Sequence, residues 1–180
     1  RTQLYVAKLM ATDGTFPQLD TVKQLGLPDP KITDQMKGIM NDLGISLVNW
    51  EQYSDWYEKK YGKPVHANAI ADMTNKVIAM RKNGERLDTL PEEVSHFIIY
   101  AMKDIPWVKS LISRVEETPE WLEHSAAYTR YYNGDMDLVR LEVLGKILAK
   151  GLINEGQALT PKWRRYIMEL WDRFLALFNS

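Results

Sequence analysis

Three ionisable side chains open a segment that is otherwise almost entirely apolar. Glu92, Glu93 and His96 are followed directly by the apolar run Phe97-Ile98-Ile99-Tyr100-Ala101-Met102. A helix that is hydrophobic around most of its circumference is a buried helix, and buried carboxylates and imidazoles destabilise a fold unless they have partners. Glu92 and His96 share one helical face, whereas Glu93 points about 100° away from Glu92. The segment therefore predicts a buried helix whose polar groups need partners.

Composition limits the classes of protein that are open to this chain. Its 180 residues and 45% hydrophobic content predict one domain of ordinary size with a sizeable core. A formal net charge of -1 offers no bulk field for nucleic acid or for an anionic membrane, so neither is expected as a partner. The lack of cysteine excludes disulfides and thiolate metal sites. The start at Arg1, without an initiator Met or a signal peptide, would suit a piece of a longer protein.

The hydrophobic pattern changes from a period of two to a period of 3.6 near residue 88. This change predicts an α+β fold, with a small antiparallel sheet in the first half and a helical second half. Thr33 is the expected cap of one early helix, and Gly44 its end. A turn is expected at 72–75. The predicted strands are 45–50, 65–71 and 77–80, and the predicted helices are 18–25, 32–43, 51–61, 90–103, 106–116, 119–132, 136–152 and 161–178.

A further carboxylate lies on an apolar face of the predicted helix 136–152. Gly145 lowers helix stability by roughly 1 kcal/mol relative to Ala, and the compensating gain would be the close approach of another helix. If that helix is 90–103, Glu142 can meet Glu92 and His96. Three protein ligands with a fourth position open to water form a catalytic zinc site. The neighbours of Glu142 on the helical wheel are Leu138, Val139, Gly145, Ala149 and the polar Lys146.

These motifs resemble those of the zincin-like metallopeptidases. Thr89-Leu-Pro-Glu-Glu-Val-Ser-His is similar to the zinc-protease pattern His-Glu-x-x-His, with Glu in place of the first His. Glu142 follows about fifty residues later, as does the third ligand of the type that uses Glu. Segments 67–72 and 75–79 are similar to the two strands that precede the metal helix. The match covers residues from about 30 to 155 and is closest to domains embedded in large phage virion proteins and polyvalent proteins.

The resemblance implies a role for each matching position. Glu92, His96 and Glu142 would be the metal ligands, and Glu93 would be the general base. With Glu92 instead of His, the ligands are two carboxylates and one imidazole, which suit Zn²⁺ and also Mn²⁺. The site is also more anionic, so the activity would be weakened, redirected or lost. The alternative is a catalytically dead zincin-like module without metal that acts as a structural or interaction domain.

The resemblance also implies a substrate, a context and a division of the chain. Ala67, Asn68 and Ala69 would border the cleft that binds a protein or peptide substrate. The partners would be other segments of a larger phage polypeptide or virion proteins. The location would be the phage virion, or the host cytoplasm after delivery. The implied division is an N-terminal arm at 1–30, a zincin-like domain at 31–155 and a C-terminal amphipathic helix at 156–180.

Each of these residues also has an ordinary structural interpretation. Thr89 and Glu92 have the spacing of a capping box. Glu93 would complement the helix dipole from the first turn. His96 alone would be a core histidine, and Glu142 would pair with Lys146 one turn later.

The remaining polar candidates and the last helix favour structural roles. His66 and His124 are expected to be surface or packing residues. The last helix carries an apolar stripe, which would pack on this domain or dock to a partner segment. Its residues are Trp163, Ile167, Leu170, Trp171, Phe174, Leu177 and Phe178.

Overall fold

The computed structural model has the predicted α+β class. It describes residues 3–5, 16–22, 30–81, 89–154 and 159–179. The chain divides into two compact units, 1–94 and 95–180. The division falls within a helix, α3 (Thr89–Met102), so Glu92 and Glu93 belong to the first unit and His96 to the second. No helix in these described ranges is both long and apolar enough to cross a membrane.

The first unit contains a mixed sheet. Its strands are β1 (Gln3–Tyr5), β2 (Ser46–Val48), β3 (Ala69–Asp72) and β4 (Val77–Met80), in the order β1-β3-β4-β2. The predicted pairing of the two central strands is confirmed, because β3 and β4 are antiparallel. The expectation of a wholly antiparallel sheet was wrong, because β1 is parallel to β3 and β2 is parallel to β4. Parallel strands require a crossover connection, and the chain between β2 and β4 provides one.

Two helices accompany this sheet, α1 (Pro30–Leu43) and α2 (Trp50–Tyr61). Helix α1 begins at Pro30, so the prediction of Thr33 as its cap was wrong. Proline suits the first position of a helix because its fixed φ is helical and its missing N–H has no helical partner. Gly44 follows the end of α1 with a φ of 70°. Of the predicted helix 18–25, residues 18–22 are not helical and the rest lies outside the described residues.

Asn49 and Gly62 define the two ends of α2. The Asn49 side chain accepts a hydrogen bond from the backbone N–H of Gln52 at 2.9 Å, which satisfies one of the free donors of the first turn. Gly62 has a φ of 73°, and its N–H donates to the carbonyl of Glu58 at 2.8 Å. This is the left-handed C-cap for which glycine is favoured. The predicted helix 51–61 is therefore confirmed.

The turn between β3 and β4 is held by a buried carboxylate. Asp72 Oδ1 accepts from the backbone N–H of Asn75 at 3.0 Å. Its Oδ2 accepts from the Tyr53 hydroxyl at 2.7 Å and from Asn75 Nδ2 at 2.9 Å. The Asp72 side chain is fully buried, so these bonds replace the water that it loses on folding. Helix α2, through Tyr53, thus fixes the turn that sets the register of β3 and β4.

We expect Tyr53→Phe to lower the free energy of unfolding by about 1 to 3 kcal/mol, because a buried carboxylate loses a donor. Burial, followed by the proximity of Asp72, raises the pKa of Tyr53 far above its ordinary value. The contribution of Tyr53 is therefore fully present below about pH 10, the ordinary pKa of tyrosine, and declines above it. Urea unfolding should show a constant difference in the free energy of unfolding between wild type and variant near neutral pH. Above about pH 10 this difference should become smaller. Tyr61→Phe is the control. An equal loss in Tyr61→Phe would contradict the role of Asp72.

The second unit is built from helices. After α3 come α4 (Pro106–Arg114), a 3-10 turn (Val115–Glu117), α5 (Pro119–Tyr131), α6 (Met136–Asn154) and α7 (Pro161–Asn179). All five helices that were predicted after residue 89 are present. Every side chain from Leu141 to Ala149 is buried, and α6 packs against α4, α5 and α7. Helix α6 is therefore the core helix of this unit.

Helix α7 packs its apolar stripe within the same unit. Trp163, Ile167, Leu170 and Phe174 are buried. At its start, Trp163 Nε1 donates to Glu117 Oε1 at 3.2 Å, and Lys162 Nζ lies 2.7 Å from the same oxygen. The hydrogen bond from Lys162 lowers the pKa of Glu117. Of the two expected roles of the stripe, these described residues show packing on its own unit.

Candidate functional site

A buried imidazole and a buried carboxylate meet in the second unit. His96 comes from α3 and Glu142 from α6, and the Nε2 atom of His96 lies 3.2 Å from Oε2 of Glu142. The two side chains are only 1% exposed. This is an ion-pair distance when the imidazole carries a proton. His96 on α3 and Glu142 on α6 were each expected to need a partner, and each is the other's partner.

Gly145 is the reason that the imidazole can lie so close to α6. A Cβ atom at position 145 would lie 2.7 Å from Cε1 and 2.9 Å from Nδ1 of His96. Carbon atoms repel strongly at such distances, because van der Waals contact is near 3.5 Å or more. The ring therefore occupies the space that any other residue at 145 would fill. Gly145 was expected to allow the close approach of another backbone or helix, and the group that approaches is the His96 side chain of α3.

Tyr132 binds the other oxygen of Glu142. The Tyr132 hydroxyl donates a hydrogen bond to Oε1 of Glu142, while Oε2 faces His96. Tyr132 caps the C-terminal end of α5, and only Asn133, Gly134 and Asp135 separate it from α6. A carboxylate with no access to water thus has a hydroxyl on one oxygen and an imidazole on the other. Hydrogen bonds to an ionised group are stronger than those between neutral groups.

Tyr132 was missed in the sequence. Its hydroxyl is within reach of Glu142 because the turn after α5 folds α6 back along it, and a helical wheel of α6 alone does not show this. The signal that would have found it is the dipeptide Asn133-Gly134, which marks a chain reversal between two helical segments. Aromatic residues just before such a reversal lie beside the first turns of the next helix.

Lys146 lies near this site but over an aromatic ring. Its Nζ is 5.7 Å from the ring centroid of Tyr128, and the lysine is buried. Cations are attracted to the faces of aromatic rings at such distances. Glu142 is engaged by Tyr132 and His96, so a helical ion pair with Lys146 is not needed to explain its burial.

Glu92 and Glu93 are also buried, with 3% and 0% of their surface exposed. Because α3 begins at Thr89, Glu92 is the fourth residue of the helix. The Glu of a capping box is the third residue, and the capping Ser or Thr precedes the helix. The capping box stays a prediction, because residue 88, which precedes Thr89, lies outside the described residues. The first turn of α3 contains Glu92 and not Glu93, so the expectation of Glu93 as a first-turn acid was wrong.

The distance between His96 and Glu142 also suits two ligands of one metal ion. Ligand atoms at about 2.0–2.1 Å from a tetrahedral zinc are about 3.3 Å from each other. The observed separation is 3.2 Å. Across the described ranges, however, no three His, Cys, Asp or Glu side chains form a group that could hold a metal ion. Among these residues, the structure brings His96 and Glu142 together. Their roles as ligands stay a prediction.

The predicted substrate residues lie in the first unit. Ala67 and Ala69 are buried, and the backbone carbonyl of Asn68 accepts from the N–H of Arg81 at 2.7 Å. Strand β3, which begins at Ala69, lies between β1 and β4. Its two edges are already paired, so a substrate strand would have to bind elsewhere on this sheet. The role of these three residues in substrate binding stays a prediction.

The other two histidines are in ordinary environments. His66 is exposed. His124 Nε2 lies 3.6 Å from Glu123 Oε2, and the Glu123 side chain is 67% exposed. His66 therefore lies at the surface, whereas the His124 side chain is 22% exposed and partly buried. Both provide controls for His96.

Comparison of the chain with protein families, with characterised proteins and with solved structures finds no match. The metal, the peptidase activity, the substrate and the phage context therefore stay predictions from the sequence resemblance.

We expect Gly145→Ala to destabilise the protein by about 1 to 3 kcal/mol, because the added methyl group overlaps the His96 ring. Intrinsic helix propensity alone predicts the opposite sign, a gain of about 1 kcal/mol. Gly38→Ala in α1 is the matched control, because no atom lies within 4 Å of a Cβ placed there. Urea unfolding should show Gly38→Ala stabilised and Gly145→Ala destabilised. Stabilisation of both variants would mean that His96 does not pack against α6.

Proposed function

We propose that this chain is a metal-dependent peptidase domain of the zincin type. The observation that carries the proposal is the buried pair His96–Glu142, with 3.2 Å between Nε2 and Oε2. Its support is threefold. The donors are of the kinds that zinc takes, their separation suits a shared ion, and the sequence around both residues resembles the zincin pattern. In addition, the glycine at position 145 leaves the space on α6 that the His96 ring occupies.

The ligands in this proposal are His96, Glu142 and Glu92. Glu92 precedes His96 by one turn of α3, so the two side chains project from the same face of that helix. Two carboxylates and one imidazole bind Zn²⁺ and also suit Mn²⁺, which accepts oxygen ligands readily. A bound metal would activate water and polarise the carbonyl group of the scissile peptide.

Glu93 has the role of general base in the proposed reaction. Its carboxylate takes a proton from the attacking water and delivers it to the amine that leaves. Glu93 is completely buried, and burial of this kind strengthens electrostatic interactions at a reacting centre. The substrate would be a protein or peptide, and the parent molecule a large phage virion or polyvalent protein.

A second candidate function is a zincin-like module without activity. One observation favours it: within the described part of the chain, no group of three potential ligands is assembled. In this case His96 and Glu142 form a buried structural pair without a metal. The domain would then serve as a structural or interaction module in the larger protein. The metal content of the purified protein separates the two candidates.

We expect the protein, purified without chelator, to contain about one equivalent of Zn²⁺ or Mn²⁺ by elemental analysis. Removal of the metal should lower the melting temperature, because an ion at a hundredfold its Kd stabilises the fold by about 2.7 kcal/mol. For a chain of this size that corresponds to roughly 5 to 10 °C. His96→Ala and Glu142→Gln should lose the metal, whereas His124→Ala should retain it. Metal-free wild type with an unchanged melting temperature in chelator would favour the inactive module.

We expect Glu93→Gln to reduce peptide cleavage by about 100-fold or more, because the amide cannot accept the proton. Its metal content should remain that of the wild type, since Glu93 is not a ligand in this proposal. Glu123→Gln, at an exposed position of α5, is the control. Cleavage can be followed on a mixture of fluorogenic peptides. Equal rates for wild type and Glu93→Gln would eliminate the hydrolytic mechanism.

A further inference from the structure

We propose that Tyr132 is a positioning residue for Glu142. Its hydroxyl holds Oε1, and this directs Oε2 at Nε2 of His96. The part of this inference that concerns metal affinity rests on the proposed function, because there the oriented oxygen is a ligand. The orientation itself does not require a metal. It is a property of three buried side chains from α3, α6 and the end of α5.

The backbone fixes where the Tyr132 hydroxyl can lie. Asn133 and Gly134 have φ values of 53° and 83°, which reverse the chain after α5. The reversal is closed by hydrogen bonds from Gly134 N–H to the carbonyl of Thr129 at 2.9 Å and from Asp135 N–H to that of Tyr132 at 3.1 Å. Helix α6 then begins with Asp135 Oδ1 accepting from the N–H of Leu138 at 3.3 Å. The backbone of Tyr132, from which its side chain projects, is therefore held in place by the turn between α5 and α6.

Neighbouring rings fix the direction of the Tyr132 side chain. The ring of Tyr128 stacks on it, with centroids 6.3 Å apart and planes within 20°. The ring of Tyr131 meets it edge to face at 5.7 Å. Tyr132 is 9% exposed. These neighbours and the burial of Tyr132 restrict the motion of its ring and keep its hydroxyl beside Glu142.

Glu142 needs such a partner because its last torsion is soft. Rotation about the bond to the carboxylate group is broad and roughly two-fold, unlike the staggered torsions nearer the backbone. A carboxylate held by His96 alone would sample many angles around that contact. Outer partners that orient a ligand typically account for 10- to 100-fold in metal affinity, roughly. Tyr132 supplies such an orienting bond to Glu142.

The test compares Tyr132→Phe with Tyr131→Phe in the full chain. The chain contains 3 histidines, so ¹⁵N-labelled imidazole signals can be resolved, with His66 and His124 as internal references. In metal-free protein, we expect Tyr132→Phe to displace or broaden the signals of His96 and leave the other two unchanged. Tyr131→Phe, which keeps its ring beside Tyr132, should change none of them.

The metal arm of the experiment uses Co²⁺, whose visible absorption reports the geometry of its ligands. We expect Tyr132→Phe to bind Co²⁺ about 10- to 100-fold more weakly than wild type, with an altered spectrum, and Tyr131→Phe to match wild type. Wild type that binds no Co²⁺ would overturn the proposed function, while the metal-free signals of His96 still decide the role of Tyr132. Unchanged His96 signals in Tyr132→Phe would overturn the positioning role, whether or not metal binds.

Glu142→Gln tests the same contact if Tyr132→Phe does not fold. The amide keeps the volume of the side chain but replaces one accepting oxygen by a donor. We expect the ¹³C signal of the Tyr132 ring carbon that bears the hydroxyl to shift in Glu142→Gln, and that of Tyr131 to stay in place. No shift at Tyr132 would show that its hydroxyl does not bind Glu142.

Discussion

The second unit depends on a carboxylate that water cannot reach. Glu142 lies in the middle of α6, among side chains that are buried from Leu141 to Ala149. An isolated carboxylate in such a place would cost several kcal/mol, roughly, even after the protein relaxes. Its presence requires that other elements bring compensating groups to α6. Helix α3 brings an imidazole, and the end of α5 brings a hydroxyl. The relative placement of these three helices is thereby constrained by one side chain.

Much of the fold was accessible from the sequence because its signals are local. Strand β4 and the turn at 72–75 follow from short-range composition, and the helices after residue 89 follow from hydrophobic period and from Pro and Gly at their ends. The errors concern information that is not local. The parallel pairing of β2 with β4 depends on a crossover. Thr33 was wrongly predicted as the cap of α1 because Pro30, three residues earlier, is also a residue type that begins helices, and the helix begins there.

The same distinction explains which parts of the site were predicted. His96 and Glu142 were found because ionisable groups on apolar faces are conspicuous, and Gly145 because glycine is unfavourable within a helix. Tyr132 carries no such signal, since tyrosine at the end of an amphipathic helix is ordinary. Its role follows only from the reversal at Asn133 and Gly134. The burial of Glu92 and Glu93 agrees with the predicted buried helix, and their roles in the site stay predictions.

The hairpin of α5 and α6 has a consequence for the order in which this unit folds. Tyr132 and Glu142 are ten residues apart in the chain, so only a short loop must close to join them. His96 reaches Glu142 only after a much longer segment, including α4, has been ordered. Closure entropy grows with loop length, and local contacts form faster than distant ones. We therefore expect Glu142 to acquire its hydrogen bond from Tyr132 before it contacts His96. The α5–α6 hairpin would then form first, with Tyr132 already bound to Glu142, and His96 of α3 would pack against it late in folding.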